Sequence, residues 1–352
     1  MCHRPLIRHL VVPLLSGFLC ACVEVEATNS TPSIVASKSR VVLVRDPSAM
    51  NSFTADATKV RVMVAAGINT LTGEKDEAAA WRHFAYGSDV VGIKINTQAG
   101  PLQSTRRAVV EAIAQGLRAA GVSATNIYVF DRDPTRMRAA GYLRTGATNQ
   151  LQEVSIIDGT GWEPIAYFQD NLAGKLIWGD LLFGKDGEQD LSKRSHLPKL
   201  VTETITKLVN VPVLQNHDVC GLAGCLYNLS LGMVDNTRRF ETVGQHGDPM
   251  IAEICNMPPL REKLVLNVAD GLIAGYAGGL GFKPRYSWPY GALYFSTDPV
   301  AIDSLCVEVL EAKCHEAKVP PIRPLATHIA TATRLGLGQS DPAKIDLSEV
   351  KP

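Results

Sequence analysis

Residues 89–131 read DVVGIKINTQAGPLQSTRRAVVEAIAQGLRAAGVSATNIYVFD. Asp89 to Asn96 is a strand of the buried type, and Asn126 to Asp131 is a second. Between them the loop TQAGPLQ leads to a helix starting at Ser104 or Thr105. That helix carries Val109, Val110, Ile113 and Leu117 on one face and stops at Gly121. Strand, helix, strand with short joints is a βαβ unit, which predicts parallel pairing through a right-handed crossover. In such sheets ligands sit beyond the carboxyl ends of the strands. Lys94, Asn96, Asp131 and Arg132 fall at those ends.

The same pattern extends outward. Upstream, Arg40 to Arg45 predicts a strand closed by Asp46-Pro47, and residues 56–71 and 74–86 have helical spacing. Downstream, a helix over 134–141 and a strand over Glu153 to Ile157 precede residues 158–195, which look irregular. Lys207 to Leu214 predicts a strand that ends in Gln215, Asn216, His217 and Asp218, followed by a helix over Cys220 to Met233. Strands at Lys263 to Val268 and Ala292 to Ser296 end in Asp270 and Asp298, and helices are expected over Pro299 to Ala317 and 324–335. The expected architecture is α/β: a mostly parallel sheet flanked by helices, in sublobes of about 40–160 and 196–350 with a pocket between them.

The 352 residues are 46% hydrophobic and 20% charged, with 35 Lys+Arg against 35 Asp+Glu. A zero net charge without a basic stripe argues against a nucleic-acid partner. Arg4 and Arg8 precede the apolar run Leu10 to Leu19, which is too short to span a bilayer, and then comes Leu-Cys-Ala-Cys. That pattern resembles a lipoprotein signal over residues 1–22 with Cys22 lipidated; simple secretory cleavage near Ala21 or Ala27 is the alternative. Residues 23–39, rich in Ser and Thr, make a tether. The expected location is therefore the periplasm or cell envelope, with a lipid anchor meeting the membrane surface. Export brings an oxidising compartment. Beyond Cys22, five cysteines remain (Cys220, Cys225, Cys255, Cys306 and Cys314), so they cannot all pair within one chain.

Lys94 and Asn96 alternate with Ile93 and Ile95 and share a face. A lysine inside an apolar strand requires an anion: either a bound carboxylate or phosphate, or a structural Asp. Ser104 and Arg106 at the helix start add amide donors and a cation to the same rim. His217, Cys220, Cys225 and His246 are candidate ligands for a metal ion, although C-x4-C on a helix sets the thiols about 140° apart. A Cys220–Cys225 disulfide or buried thiols are the competing outcomes. Gly221, Gly224, Asn228 and Gly232 recur at helical spacing and would let that helix approach a neighbour or ligand. Asp298 before Pro299 fits an N-cap, while Asp303 lies one turn further along a mostly apolar helix.

VGIKIN with a following AGP, then NVPVLQNH, NLSLGMVDN, DGLIAGYAGG and STDPVAID, resembles the DUF362 family over roughly residues 40–350. Members are mainly uncharacterised; some carry ferredoxin-type modules and many look exported, which implies redox or metal chemistry. The resemblance carries over Lys94, Asn96, His217, Asn228, Asp270, Asp298 and Asp303. It also implies lysine at positions 215 and 227 and histidine near 241, where this chain has Gln215, Tyr227 and Glu241. No ferredoxin cysteine run is present, which argues against a standard cluster held by this chain alone. The resulting expectation is an exported, lipid-anchored enzyme acting on a small anionic substrate, metal- or redox-linked, with a redox partner. The alternative is an envelope ligand- or metal-binding protein without turnover. Lys94, His217, Asn228 and Asp298 are the candidate catalytic residues, His217 as general base or metal ligand. Asn96, Ser104, Arg106, Asp131, Arg239, Asp270 and Asp303 are the candidates for binding substrate.

Overall fold

Strand residues alternate between the faces of a sheet, and along Val91 to Ile95 that alternation sorts the molecule into layers. Val91, Ile93 and Ile95 join one buried apolar cluster with Val64, Trp81, Ile113 and Leu117. On the other face Gly92 lies against Ile205 and Phe130, which belong to a second cluster with Leu226, Ile302 and Leu310. The computed structural model describes residues 38–144, 151–177, 179–180, 191–242 and 244–352. The expected signal, Cys22 and all but the end of the expected tether lie outside the described residues.

The chain enters as β1 (Ser39–Arg45), makes a small ribbon from β2 (Met50–Asn51) and β3 (Thr54–Ala55), and lays down α1 (Ala57–Thr72) and α2 (Glu77–Arg82). The βαβ unit follows as β4 (Val91–Ile95), α3 (Arg107–Ala119) and β5 (Ile127–Asp131). Next come α4 (Pro134–Ala139), β6 (Gln152–Ser155) and a separate antiparallel pair, β7 (Trp162–Lys175) and β8 (Leu191–Pro198). β9 (Lys207–Val211), β10 (Val213–His217), β11 (Gly221–Leu222) and α5 (Cys225–Leu229) lead on to α6 (Met250–Cys255) and α7 (Pro258–Arg261). β12 (Leu264–Gly275), β13 (Ser287–Ser296), α8 (Pro299–Ala317), α9 (His328–Arg334) and β14 (Ile345–Val350) complete the chain.

The main sheet has the order β14-β1-β13-β12-β9-β4-β5-β6, with β10 beside β12 and β11 beside β10. β4 pairs in parallel with β5 and β9, as do β5 with β6, β9 with β12, β10 with β12, and β1 with β14. Only β13, against β1 and β12, and the short β11 run antiparallel within it. The fold is therefore α/β, with a mostly parallel sheet between helical layers. α1, α2 and α3 cover one face, and α5, α6, α8 and α9 the other. The segments 40–160 and 196–350 both feed this one sheet, and residues 37–352 cluster as one compact unit.

Three local expectations change. Residues 158–195 are not all irregular, since β7 and β8 pair there. The strand expected over 207–214 breaks at Pro212, which has no N–H for a ladder, and resumes as β10 beside β12. The helix expected over 220–233 shrinks to the five residues of α5. Gly221 takes a left-handed φ of 77° in β11, which no helix accommodates. Gly221, Gly224, Asn228 and Gly232 therefore do not form one helical stripe.

The two ends of the burial scale give a direct test. Ile93 is fully buried and Leu347, on the outer strand β14, is 45% exposed. Ile93→Ala is expected to cost about 2–5 kcal/mol in denaturant unfolding and Leu347→Ala less than about 0.5 kcal/mol. Equal costs would contradict this layering.

Candidate functional site

One register level crosses four strands with polar side chains. Lys94 of β4 lies beside Asn210 of β9, Asn210 beside Asn267 of β12, and Asn267 beside Ser296 of β13. All four are fully buried. Asn210 donates to Asn267 Oδ1 (2.9 Å) and to the Cys225 carbonyl (3.1 Å). Asn228 of α5 reaches down to donate to Asn210 Oδ1 (2.8 Å) while its own Oδ1 accepts from Lys94 Nζ (2.9 Å). The other two ammonium protons go to Asp131 Oδ1 and the Ile95 carbonyl, both at 2.8 Å. Asp131 also accepts the backbone N–H of Thr97, the Thr97 hydroxyl and the Arg132 N–H. Burial alone would raise the Asp131 carboxyl, but the Lys94 ammonium together with the hydrogen bonds from Thr97 and the Arg132 N–H holds it below its usual range. An ammonium has three donors, and all three are spent inside the protein. Lys94, Asp131 and Asn228 therefore come together, but as a closed network that leaves Lys94 no donor for a ligand.

The start of α3 is also occupied from within. The Arg106 N–H donates to Asp270 Oδ2 at 2.7 Å, so the anion received at this helix start is the chain's own carboxylate. Asp270 accepts the Leu272 N–H as well, and burial pushes its carboxyl up. Asn96 Oδ1 accepts the Gln98 N–H in a local turn, and the Ser104 hydroxyl donates to the Gly100 carbonyl. The Arg106 guanidinium donates to the carbonyls of Leu102 and Ser104. These four binding candidates shape the loop between β4 and α3.

The remaining candidates are placed as follows. Asp298 caps α8 through the Ala301 N–H (2.9 Å) and also accepts the Gln339 N–H and the Ser39 hydroxyl. Asp303 accepts the N–H groups of Cys225 (2.6 Å) and Leu226 (2.9 Å), which anchors α5 to α8. A side chain at Gly224 would collide with that carboxylate, and burial pushes the Asp303 carboxyl up to about 7. Arg239 donates to Asp170, Ser195 and the Asn236 carbonyl, fastening β7 and β8 to the turn before it. Asp298, Asp303 and Arg239 are thus all engaged in holding elements together.

The four metal candidates do not converge. His217 Nδ1 accepts the N–H groups of Val219 and Cys220, both at 3.1 Å, and His246 Nδ1 donates to the Val219 carbonyl at 2.8 Å. Cys225 faces Asp303 and Cys306 in the core. Burial pushes the thiols of Cys220 and Cys225 up, away from the thiolate that a metal requires. Among the described residues no group of three or more His, Cys, Asp or Glu is placed to hold a metal ion. Cys220, Cys225, Cys255, Cys306 and Cys314 are all buried and unpaired.

Polar groups do face open space beyond β4 and β5. A cavity of about 320 Å³ takes Gln98 and Arg132 from the strand ends, Tyr227 from α5, and Thr237, Arg238 and Glu241 from the turn that follows. The Tyr227 hydroxyl donates to Glu241 Oε1 at 2.6 Å, and His217 Nε2 faces the same oxygen at 3.6 Å. With Nδ1 accepting two N–H groups, the proton of a neutral His217 ring sits on Nε2. His217 is therefore a donor toward Glu241 and not the base. Burial would raise the Glu241 carboxyl, yet His217 and Tyr227 hold it below the usual range, while burial and the Glu241 charge push the Tyr227 phenol up. Arg132 spends one guanidinium nitrogen on the carbonyls of Leu231 and Val234 and on Thr237. Neither Arg132 nor Arg238 has a carboxylate partner among the described residues. A larger cavity of about 630 Å³ between α8 and α9 is mostly apolar, and its Glu308–Arg323 pair closes on itself at 2.6 Å. It lacks the converging polar groups of the smaller one.

The sequence marks Arg132 as a strand-end residue but gives no direct sign that Tyr227, Arg238 and Glu241 share a cavity with it. The available signal was indirect. Tyr227 and Glu241 are two of the three positions where the family resemblance implies a different residue, and the fold puts them in contact.

Among known proteins, residues 91–308 match the model of a domain of unknown function, DUF362. No curated protein matches. Three chains of solved structures match. One is the crystal structure of a Thermotoga maritima protein, a Northeast Structural Genomics Consortium target. It is 9% identical, with 77% of this chain and 61% of that chain covered and a TM-score of 0.41.

The buried pair supplies the test for this region. Lys94→Met leaves the Asp131 carboxylate without its counter-ion and is expected to cost about 3–5 kcal/mol of unfolding free energy. Adding Asp131→Asn should recover part of that loss. A Lys94→Met chain as stable as the parent would show that the pair does not hold the sheet to α5.

Proposed function

Since the chain belongs to the DUF362 family, a domain of unknown function matched over residues 91–308, we propose its function from its own site: it is an exported, lipid-anchored protein that captures a small anionic molecule. The cavity beyond β4 and β5 is the binding site. One observation carries this: Arg132 and Arg238 line the same small cavity without a carboxylate partner among the described residues, at the strand ends where α/β sheets receive ligands. Lys94 and the start of α3 leave that role because each is satisfied internally.

Turnover is the second reading, and the bond from Tyr227 to Glu241 favours it. In that reading Glu241 accepts the proton from substrate, Tyr227 and His217 hold the carboxylate in place, and the arginines hold the anion. The low-lying Glu241 carboxyl makes a weak base, so capture is preferred. No step through a metal is drawn, because the proposed ligand set does not fit one.

The export half rests on Arg4, Arg8, the Leu10 to Leu19 run and Cys22. Among the described residues no helix is long and apolar enough to cross a membrane.

Two measurements check these proposals. Calorimetric titration of the purified chain with inorganic phosphate and with succinate should show binding of at least one, weakened about tenfold or more in Arg132→Met. Binding of neither, or identical binding by both proteins, overturns the capture reading. In cells given a radiolabelled fatty acid, the parent should carry label in the membrane fraction and Cys22→Ala should not. An unlabelled parent would refute the lipid anchor.

A further inference from the structure

The charges of the cavity are not all of one sign, and those left over after internal pairing describe the ligand more closely. Arg136 is paired with Asp133 at 3.5 Å. The oxygens of Asp180 each accept a backbone N–H, from Ile177 at 2.9 Å and from Asn236 at 3.2 Å. Asp180 is a second carboxylate of the lining, but both its oxygens are thereby engaged, so the charged groups with unfilled hydrogen-bonding capacity are Arg132, Arg238 and Glu241. Glu241 accepts the Tyr227 hydroxyl at 2.6 Å and faces His217 Nε2 at 3.6 Å through the same oxygen, and no lysine or arginine of the described residues lies within ion-pair distance of it. The site thus presents two guanidiniums without a carboxylate within 4 Å among the described residues and, on Glu241, one carboxylate oxygen without a donor, within about 320 Å³, the volume class of a metabolite and not of a large cofactor.

A simple anion would satisfy the arginines but would bring its charge toward Glu241, where like charges in a partly desolvated space repel. A ligand with a cationic donor at one end and an acid group at the other satisfies both. We infer that the molecule captured here is an amino-acid-type zwitterion, its acid groups on Arg132 and Arg238 and its ammonium on Glu241. This rests on the capture reading and adds the sign of the group that meets Glu241. It also gives Tyr227 and His217 a positioning role. Between them they hold Glu241 Oε1 and leave Oε2 for the ammonium, with no hydrogen bond to Oε2 from a described residue.

L-aspartate and succinate test the idea, because they share a four-carbon dicarboxylate frame and differ in the ammonium. Titrations of the full chain should show aspartate binding about tenfold more tightly than succinate. Glu241→Gln should erase that preference, while Arg238→Gln should weaken both ligands and preserve it. Succinate binding as well as aspartate, or a preference that survives Glu241→Gln, would overturn the zwitterion inference while leaving anion capture standing. If neither ligand binds to the parent chain, both fall together.

Discussion

The ammonium of Lys94 is the constraint around which this molecule is arranged. A charge with no exposure to water must find its partners within the fold, and here it finds three on three different segments: Asp131 at the tip of β5, Asn228 on α5 and the backbone of its own strand. Satisfying it fixes β4 against β5 and pins α5 onto the sheet. The row Asn210, Asn267 and Ser296 continues the same level across three more strands, so that amides lie where an all-apolar face would otherwise permit slippage.

The site follows from that anchoring. α5 is only five residues long and has little stability of its own. It is held from below by Asn228 and from its first turn by Asp303, whose carboxylate approaches because position 224 has no side chain. Tyr227 lies between these two attachments, with its hydroxyl aimed at Glu241. The groups that face the cavity are thus carried by short pieces made rigid by buried polar bonds, and the long elements serve as their mount.

The sequence made the βαβ unit legible because Val91, Ile93 and Ile95 alternate cleanly and α3 has a narrow apolar face, and Pro299 to Ala317 was bounded correctly by its cap and proline. It misled at Cys220 to Met233, where residue spacing imitates a helix but Gly221 turns the backbone the other way. For the candidate site, the strand-end rule points to the rim where the polar cavity lies but to side chains that are satisfied within the fold. Lys94, Arg106 and Asp270 look like ligand groups one at a time, and nothing in a linear string shows that they answer one another. Glu241 is 14 residues from Tyr227, and that pairing exists only once the turn after α5 folds back.

The first strand of the sheet has its neighbours at the far end of the chain: β1 lies between β13 and β14, joined to the latter from Ser39↔Ile345 to Val44↔Val350. During synthesis, β1 leaves the ribosome about 240 residues before β13 and about 300 before β14, so no shorter length of nascent chain can complete the sheet. Closure of the sheet therefore waits on a pairing of very long sequence separation, the kind that forms late because a long stretch of chain must first be ordered.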